Sequence, residues 1–390
     1  MKAFVADAEW APRSGYVPTA AELGQKRAQC GSLVWRNPHF SLREYPVPHP
    51  GDDDLLVRVK RCGICGSDSH LYETDAEGYV IFSGAVKLPC IIGHEYSGVV
   101  EGVGRNVRDF QVGDMVAAES IVWCGKCETC RSGAVNQCTH VELTGLTVDG
   151  ALAEYVRVNA LQCWKINSLT EQYAPDAVFD MGALIEPLGC AYNGMFVSAG
   201  GFMPGVTVVV YGVGPIGLGA VALARLAGAS RIIAFDPVAA RLEIAREFGA
   251  DFVYNINILA RQNVRPRDIV LELTGGSGAE FQVEAAGAAN ATIPEMESSL
   301  GAQGKIVYLG RAATYTPIML NKLVTGANMI VGSRGHSGYA IYPNLIKLLS
   351  RGRLRVNAMI TAVFSLDQVR DALVQSGHRQ DGKILIRVAD

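Results

Sequence analysis

The run Val206-Thr207-Val208-Val209-Val210-Tyr211 shows no polar alternation and stops at Gly212-Val213-Gly214-Pro215-Ile216-Gly217. A short β-branched run of this kind suits a parallel strand buried on both faces. Ile216, Ala220, Leu223 and Ala227 then recur at helical spacing. Strand, glycine turn and helix in that order leave few architectures open. Further strands are expected at Arg231 to Phe235, Phe281 to Glu284, Lys305 to Leu309 and Met329 to Gly332. A helix is expected over Arg241 to Phe248, with Gly249 at its end as a C-cap. Strand and helix alternating over roughly 150 residues make a doubly wound α/β domain.

The glycines at 212, 214 and 217 allow a tight turn, and the helix that follows turns its N-terminal amides toward a pyrophosphate. Pro215 and Ile216 belong to the same turn. Asp236 lies 19 residues after Gly217 at the end of the next strand. A carboxylate there accepts from a ribose 2′-hydroxyl and repels a 2′-phosphate, which favours NAD over NADP. Arg241 either flanks the adenine ribose or reaches a phosphate.

The remainder reads differently. Residues 1–187 are β-rich, with alternation in Leu55-Leu56-Val57-Arg58-Val59-Lys60 and glycine-punctuated strand over Ser97 to Gly104. Short strands so spaced suggest a partly closed barrel. The parallel-sheet domain is expected over 188–338. Residues 339–390 should return to the first domain, because Lys383 to Val388 is another strand.

Ten cysteines stand in the chain, four of them in Cys124-x2-Cys127-x2-Cys130-x7-Cys138. Four thiolates this close can wrap a tetrahedral ion with no open position, which is a structural zinc site. A second set is mixed: Cys65, His94, Glu95 and Glu186 offer sulfur, nitrogen and oxygen suited to Zn²⁺. Fewer than four fixed protein ligands there would leave a position for water or substrate.

Hydrophobic residues make up 49% of the 390 and charged residues 19%, which excludes a disordered chain. Net charge is -3 and the basic side chains are scattered, so no nucleic-acid or anionic-membrane surface is expected. Met1 to Asp7 has no apolar signal region. Phe202 to Ala224 is uncharged and long enough to span a membrane, but it holds Pro204, Pro215 and five glycines. A buried strand and helix explain it better. A cytoplasmic protein is expected.

Gly93-His94-Glu95-x2-Gly98-x5-Gly104-x2-Val107 resembles the zinc signature of the medium-chain alcohol and polyol dehydrogenases. Cys62-Gly63-Ile64-Cys65-Gly66-Ser67-Asp68, the four-cysteine lobe (about 119–140), Glu186-Pro187-Leu188 and the glycine turn follow that family's order. The resemblance implies a GroES-like catalytic domain interrupted by a Rossmann domain. It also implies two zinc ions per chain, NAD, a small alcohol or ketone substrate, and a homodimer or homotetramer built through the Rossmann sheet.

By that resemblance Cys65, His94 and Glu186 are catalytic zinc ligands and Glu95 is a ligand or an exchangeable second carboxylate. Ser67 and His70 match the family's proton relay. Glu186, where other alcohol dehydrogenases carry cysteine, places the chain on the sorbitol, threonine and butanediol side. Residues 11–38 and 71–90 are longer than in ordinary members and are expected near the substrate mouth. Residues 73–79 and 332–338 resemble the branch containing scyllo-inosose 3-dehydrogenase, which acts on ring polyols. An acyclic polyol or amino alcohol is the alternative substrate class. A catalytically silent NAD-binding protein, or a zinc-free quinone reductase, fits the intact metal set less well.

Overall fold

A computed structural model describes residues 1–311 and 315–389. The chain divides into two compact units. The first holds Met1–Glu186, Ala362–Arg379 and the chain end from Ile384 onward; the second holds Pro187–Thr361 and Gln380–Lys383.

In the first unit the strand Asp54–Gly63 is central, pairing with Glu95–Val103 on one side and Lys383–Arg387 on the other, while Tyr155–Asn159 also joins it. Its alternation works as read: Leu55, Val57 and Val59 enter the core and Leu56, Arg58 and Lys60 turn outward. Met115–Ala118 and Cys163–Lys165 extend the sheet beyond Glu95–Val103. A smaller sheet joins Trp35–Glu44, Lys2–Trp10 and Cys90–Ile91.

The two lengthened segments meet each other. Arg27–Ala28 pairs antiparallel with Val86–Lys87. The amide of Ser32 donates to Phe82 O (2.8 Å), that of Val80 to Trp35 O (3.1 Å) and that of Asn37 to Gly78 O (2.8 Å). Gly31 is required at this seam, since a Cβ there would stand 2.8 Å from a Val86 methyl and 2.9 Å from Phe82 O. Ala28, Val34, Trp35, Val80, Phe82 and Val86 continue the core of the unit.

The second unit is built on a six-stranded parallel sheet. Its order is Phe252–Asn255, Arg231–Asp236, Thr207–Tyr211, Ala279–Glu284, Leu300–Tyr308, Met329–Gly332. Numbered by chain position that is 3-2-1-4-5-6, the doubly wound order with its switch point beside the strand that feeds the glycine turn. All five residues of Thr207–Tyr211 are buried, as a strand covered on both faces must be. Gly249 closes the helix Ala239–Glu247 with φ +107.

The tail divides differently from the expected boundary at 339. The helix Ile341–Ser350 buries Ile341, Tyr342, Leu345, Ile346 and Leu349 and belongs to the second unit. Its amphipathic stripe finds its core there, and the return to the first unit begins only at Ala362. Among the described residues no helix is long and apolar enough to cross a membrane.

Candidate active site

Strand register gathers the mixed ligand set. Gly63 pairs with Glu95 across the antiparallel ladder, so the end of one strand meets the start of the other. Cys65 follows the first strand and His94 precedes the second, and both fall at the same end of the sheet. Ligand atoms of Cys65, His94 and Glu95 all lie within 4.8 Å of one another. Gly63 makes room for this, since a Cβ there would collide with the Glu95 carboxylate. Gly93 (φ +90) turns the chain into His94 where a Cβ would stand 2.6 Å from Leu152 and 2.8 Å from the Cys62 sulfur.

Glu186 stands outside that set of three. Ser120 Oγ donates to Glu186 Oε1 at 3.1 Å. The helix that carries it, Pro175–Tyr192, is tied to the ligand-bearing strands: Arg61 Nε donates to Asp180 (2.7 Å) and Ser97 Oγ to Phe179 O (2.6 Å).

Cys65 caps the helix Gly66–Tyr72, which carries Ser67, Asp68 and His70. Asp68 Oδ2 accepts the Cys65 amide at 2.9 Å, and Asp68 Oδ1 stands 3.7 Å from His94 Nδ1. From sequence Asp68 either orients substrate or caps a turn; the structure shows the cap, and the same carboxylate stands beside the His94 ring, where carboxylates commonly back metal-ligating imidazoles. Ser67 Oγ lies 3.4 Å from the other ring nitrogen, Nε2. His70 closes the last turn of the helix, where its carbonyl accepts the Ile81 amide at 3.1 Å.

Burial works against a charged His94, but the negative charge of Asp68 and Cys65, and then of Glu186, prevails and raises it well above its ordinary pKa. Asp68, Glu95 and Glu186 are all buried. Such a concentration of buried negative charge is costly without compensation, and a divalent cation between sulfur, imidazole and carboxylate supplies it. The residues fit zinc.

The four-cysteine lobe is formed as read. The sulfurs of Cys124, Cys127, Cys130 and Cys138 lie within 4.8 Å of one another, and none of the ten cysteines is in a disulfide. Backbone amides already face the sulfurs: Lys126 and Cys127 donate to Cys124 (both 3.4 Å), His140 to Cys138 (3.3 Å). The Thr129 hydroxyl, with neighbouring amides, lowers the Cys127 thiol to about 4, while burial raises Cys130 to about 12. Four converging sulfurs with a preformed amide cradle suit a tetrahedral zinc.

In the second unit Gly212 (φ +84) stands where a Cβ would meet the Ala286 backbone at 2.6 Å, and a Cβ on Gly217 would strike the Gly212 carbonyl. Gly214 opens the helix Pro215–Leu226. A Cβ there would have only Arg241 Nη1 near it, at 3.8 Å, so that side of the loop is open to an approaching phosphate. Asp236 is buried, and its oxygens accept the amides of Val213 and Val238, both at 2.8 Å. It holds the glycine loop in shape. Arg241 Nε donates to Asp381 O at 2.7 Å.

Sequence reasoning missed Glu284, which is fully buried at the switch point and is raised by that burial although Ala288 (3.2 Å) and Gly287 (3.3 Å) amides and Thr292 donate to it. Its signal was an acid on the last residue of the strand Ala279–Glu284, just before a glycine turn. His336 is buried with its Nδ1 3.7 Å from the Cys190 sulfur, and Asn193 Nδ2 donates to the carbonyls of Arg334 (3.0 Å) and Gly335 (2.9 Å) beside it. Glu73 and Glu77 are engaged by Arg379 (2.9 Å) and Arg13 (2.8 Å).

Residues 51–168 match the family described as "Alcohol dehydrogenase GroES-like domain", and residues 215–351 match "Zinc-binding dehydrogenase". Scyllo-inosose 3-dehydrogenase of Thermotoga maritima is 35% identical over 100% of this chain and 99% of its own. The chain belongs to the zinc-binding alcohol dehydrogenases. L-threonine 3-dehydrogenase of Bacillus subtilis is 33% identical over 88% of this chain and 94% of its own. A solved structure from Thermotoga maritima, described as an alcohol dehydrogenase, superposes with TM-score 0.94 at 34% identity, covering 99% of this chain and 100% of that one. The first unit is thus the GroES-like domain of a zinc-binding dehydrogenase and the second its nicotinamide-nucleotide domain.

Proposed function

We propose that the protein oxidises a secondary alcohol on a polyol ring with NAD, and reduces the matching ketone in reverse. The observation that carries the reaction type is the convergence of Cys65, His94 and Glu95 within 4.8 Å, in a chain that also carries the glycine loop. Cys65, His94 and Glu186 hold the catalytic zinc in this reading, with Glu95 as a ligand or an exchangeable second carboxylate. The four-cysteine lobe takes a second, structural ion. When bound at the catalytic site, zinc would supply Lewis acidity that lowers the pKa of the alcohol oxygen.

The chain's own residues do the rest. Ser67, beside His94, accepts the hydroxyl proton at Oγ as it gives up its own toward His70. His70, one turn along the same helix, passes it to solvent, a step suited to an imidazole. The loop at Gly212 to Gly217 receives the pyrophosphate on main-chain amides. Asp236 faces the adenine ribose and disfavours a 2′-phosphate, and Arg241 stands at the phosphate side.

The ring substrate draws support from the relative that acts on scyllo-inosose, whose match runs the full length of this chain. The threonine enzyme, matched over 88%, supports an acyclic amino alcohol as the second reading. NADH formation from NAD⁺ should be measured over ring compounds (scyllo-inosose, myo-inositol, 2-deoxy-scyllo-inosamine) and acyclic ones (sorbitol, 2,3-butanediol, threonine). Turnover confined to the ring compounds is expected. Turnover confined to the acyclic set would overturn the substrate reading and leave the reaction type standing.

A further inference from the structure

The loop that follows the helix Gly66–Tyr72 is held by a residue from the N-terminal segment. Arg13 Nε donates to Ser32 O (2.7 Å), Nη1 to Glu77 (2.8 Å) and Nη2 to Asp75, and its guanidinium lies 3.9 Å from the centre of the Tyr79 ring. Asp75 accepts the amides of Glu77 and Tyr79, both at 3.0 Å, and its own amide donates to Tyr79 O at 2.9 Å. Thr74 and Val80 bridge, which closes the loop.

The first amide beyond it, Ile81, donates to His70 O (3.1 Å) and to Glu73 O (3.2 Å). The last carbonyls of a helix have no partner within it, and here the closed loop supplies one. The opposite flank is fixed as well: Ser69 Oγ donates to Ser376 Oγ (2.8 Å), and Arg379 holds Glu73.

We propose that Arg13 is a positioning residue for His70. By closing the loop over 74–80 it sets the Ile81 amide against the last helical turn, and that amide fixes where the His70 imidazole stands for proton transfer. The guanidinium suits the task because its rigid planar fork spreads donors to three acceptors while its face lies on the Tyr79 ring, where an ammonium is a compact point charge. The N-terminal segment thereby enters the proton step without touching substrate. This inference rests on the proton route through Ser67 and His70 proposed above.

The test uses the holoenzyme with NAD⁺ and the best alcohol from the substrate panel, in rising concentrations of HEPES as a non-coordinating base. Arg13→Ala should lower kcat at least about tenfold with KM for NAD unchanged. Added buffer base should restore turnover, as it should for His70→Ala. The double variant should be no slower than His70→Ala alone, because both act on one step. A loss in Arg13→Ala that buffer does not rescue, or that multiplies with the His70 loss, would make Arg13 a general structural residue and overturn the proposal. Glu77→Gln removes one arm and leaves Asp75 in place; it should give a smaller, equally rescuable loss, and it serves should Arg13→Ala not fold. An unimpaired His70→Ala would instead sink the proton route itself.

Discussion

Asp236 performs two tasks that one substitution can separate. Its oxygens accept the Val213 and Val238 amides, while its charge faces the place proposed for the adenine ribose. Each carboxylate oxygen can accept more than one donor, so the tasks are compatible. Asp236→Asn keeps the shape, removes the charge and turns an NH₂ toward one of the two amides. The NAD-to-NADP preference in kcat/KM should fall by about tenfold or more, with about 1–3 kcal/mol lost in stability. Steady-state kinetics with both cofactors and thermal melts read the two effects; an unaltered preference would deny Asp236 its ribose role. At this scale the ligands were legible because thiolate, imidazole and carboxylate are unusual company. The pairings of Asp68 with His94 and of Ser120 with Glu186 were not. Both depend on where His94 and Glu186 end up, and that is set by strand register and by a helix tied down at Arg61 and Ser97.

Elements with a strong period were readable: the buried run before Gly212, the alternating strand at Leu55, and the helix ended by Gly249. The pairing of 11–38 with 71–90 was not, because strands two residues long carry no period and their partners lie more than fifty residues apart. Glu22 shows what holds the first of these segments. It is 1% exposed, and its carboxylate accepts from the Gln29 and Thr19 amides (both 2.9 Å) and from the Tyr16 hydroxyl (2.8 Å). Burial alone would raise its pKa, yet these donors prevail and hold it below its ordinary 4.5. A carboxyl whose folded pKa is depressed contributes stability above its unfolded pKa and loses it as pH falls through the folded value. Glu22→Gln should therefore destabilise the protein by about 1–3 kcal/mol at neutral pH, since one amide oxygen replaces two charged acceptors. The gap to wild type should narrow below the ordinary carboxylate range. Melts of both proteins at neutral and acid pH would show this, and a gap constant with pH would mean that the charge of Glu22 contributes nothing.

At the scale of the whole molecule, the chain leaves its first unit at Pro187 and returns only in pieces, which no sequence period announces. The second unit ends its parallel sheet on Met329–Gly332, which among the described residues has one ladder partner, Leu300–Tyr308. Exposed edges invite pairing unless they are covered or charged. This strand carries no charged side chain and Met329 on it is exposed; on the preceding helix Leu320–Gly326 the exposed Leu320 and Val324 stand one turn apart on one face. The homodimer or homotetramer that the family resemblance implies would pair two copies edge to edge here about a two-fold axis, continuing the sheet and covering this apolar face. Light scattering on a sizing column should give a mass of at least twice 41.7 kDa. Leu320→Glu with Val324→Glu places two charges where the copies would meet, and it should shift the protein toward the monomer while leaving each sheet folded by circular dichroism. A wild-type monomer at micromolar concentration would refute the pairing. So would an oligomer that ignores both charges, because its contact would then lie elsewhere on the surface.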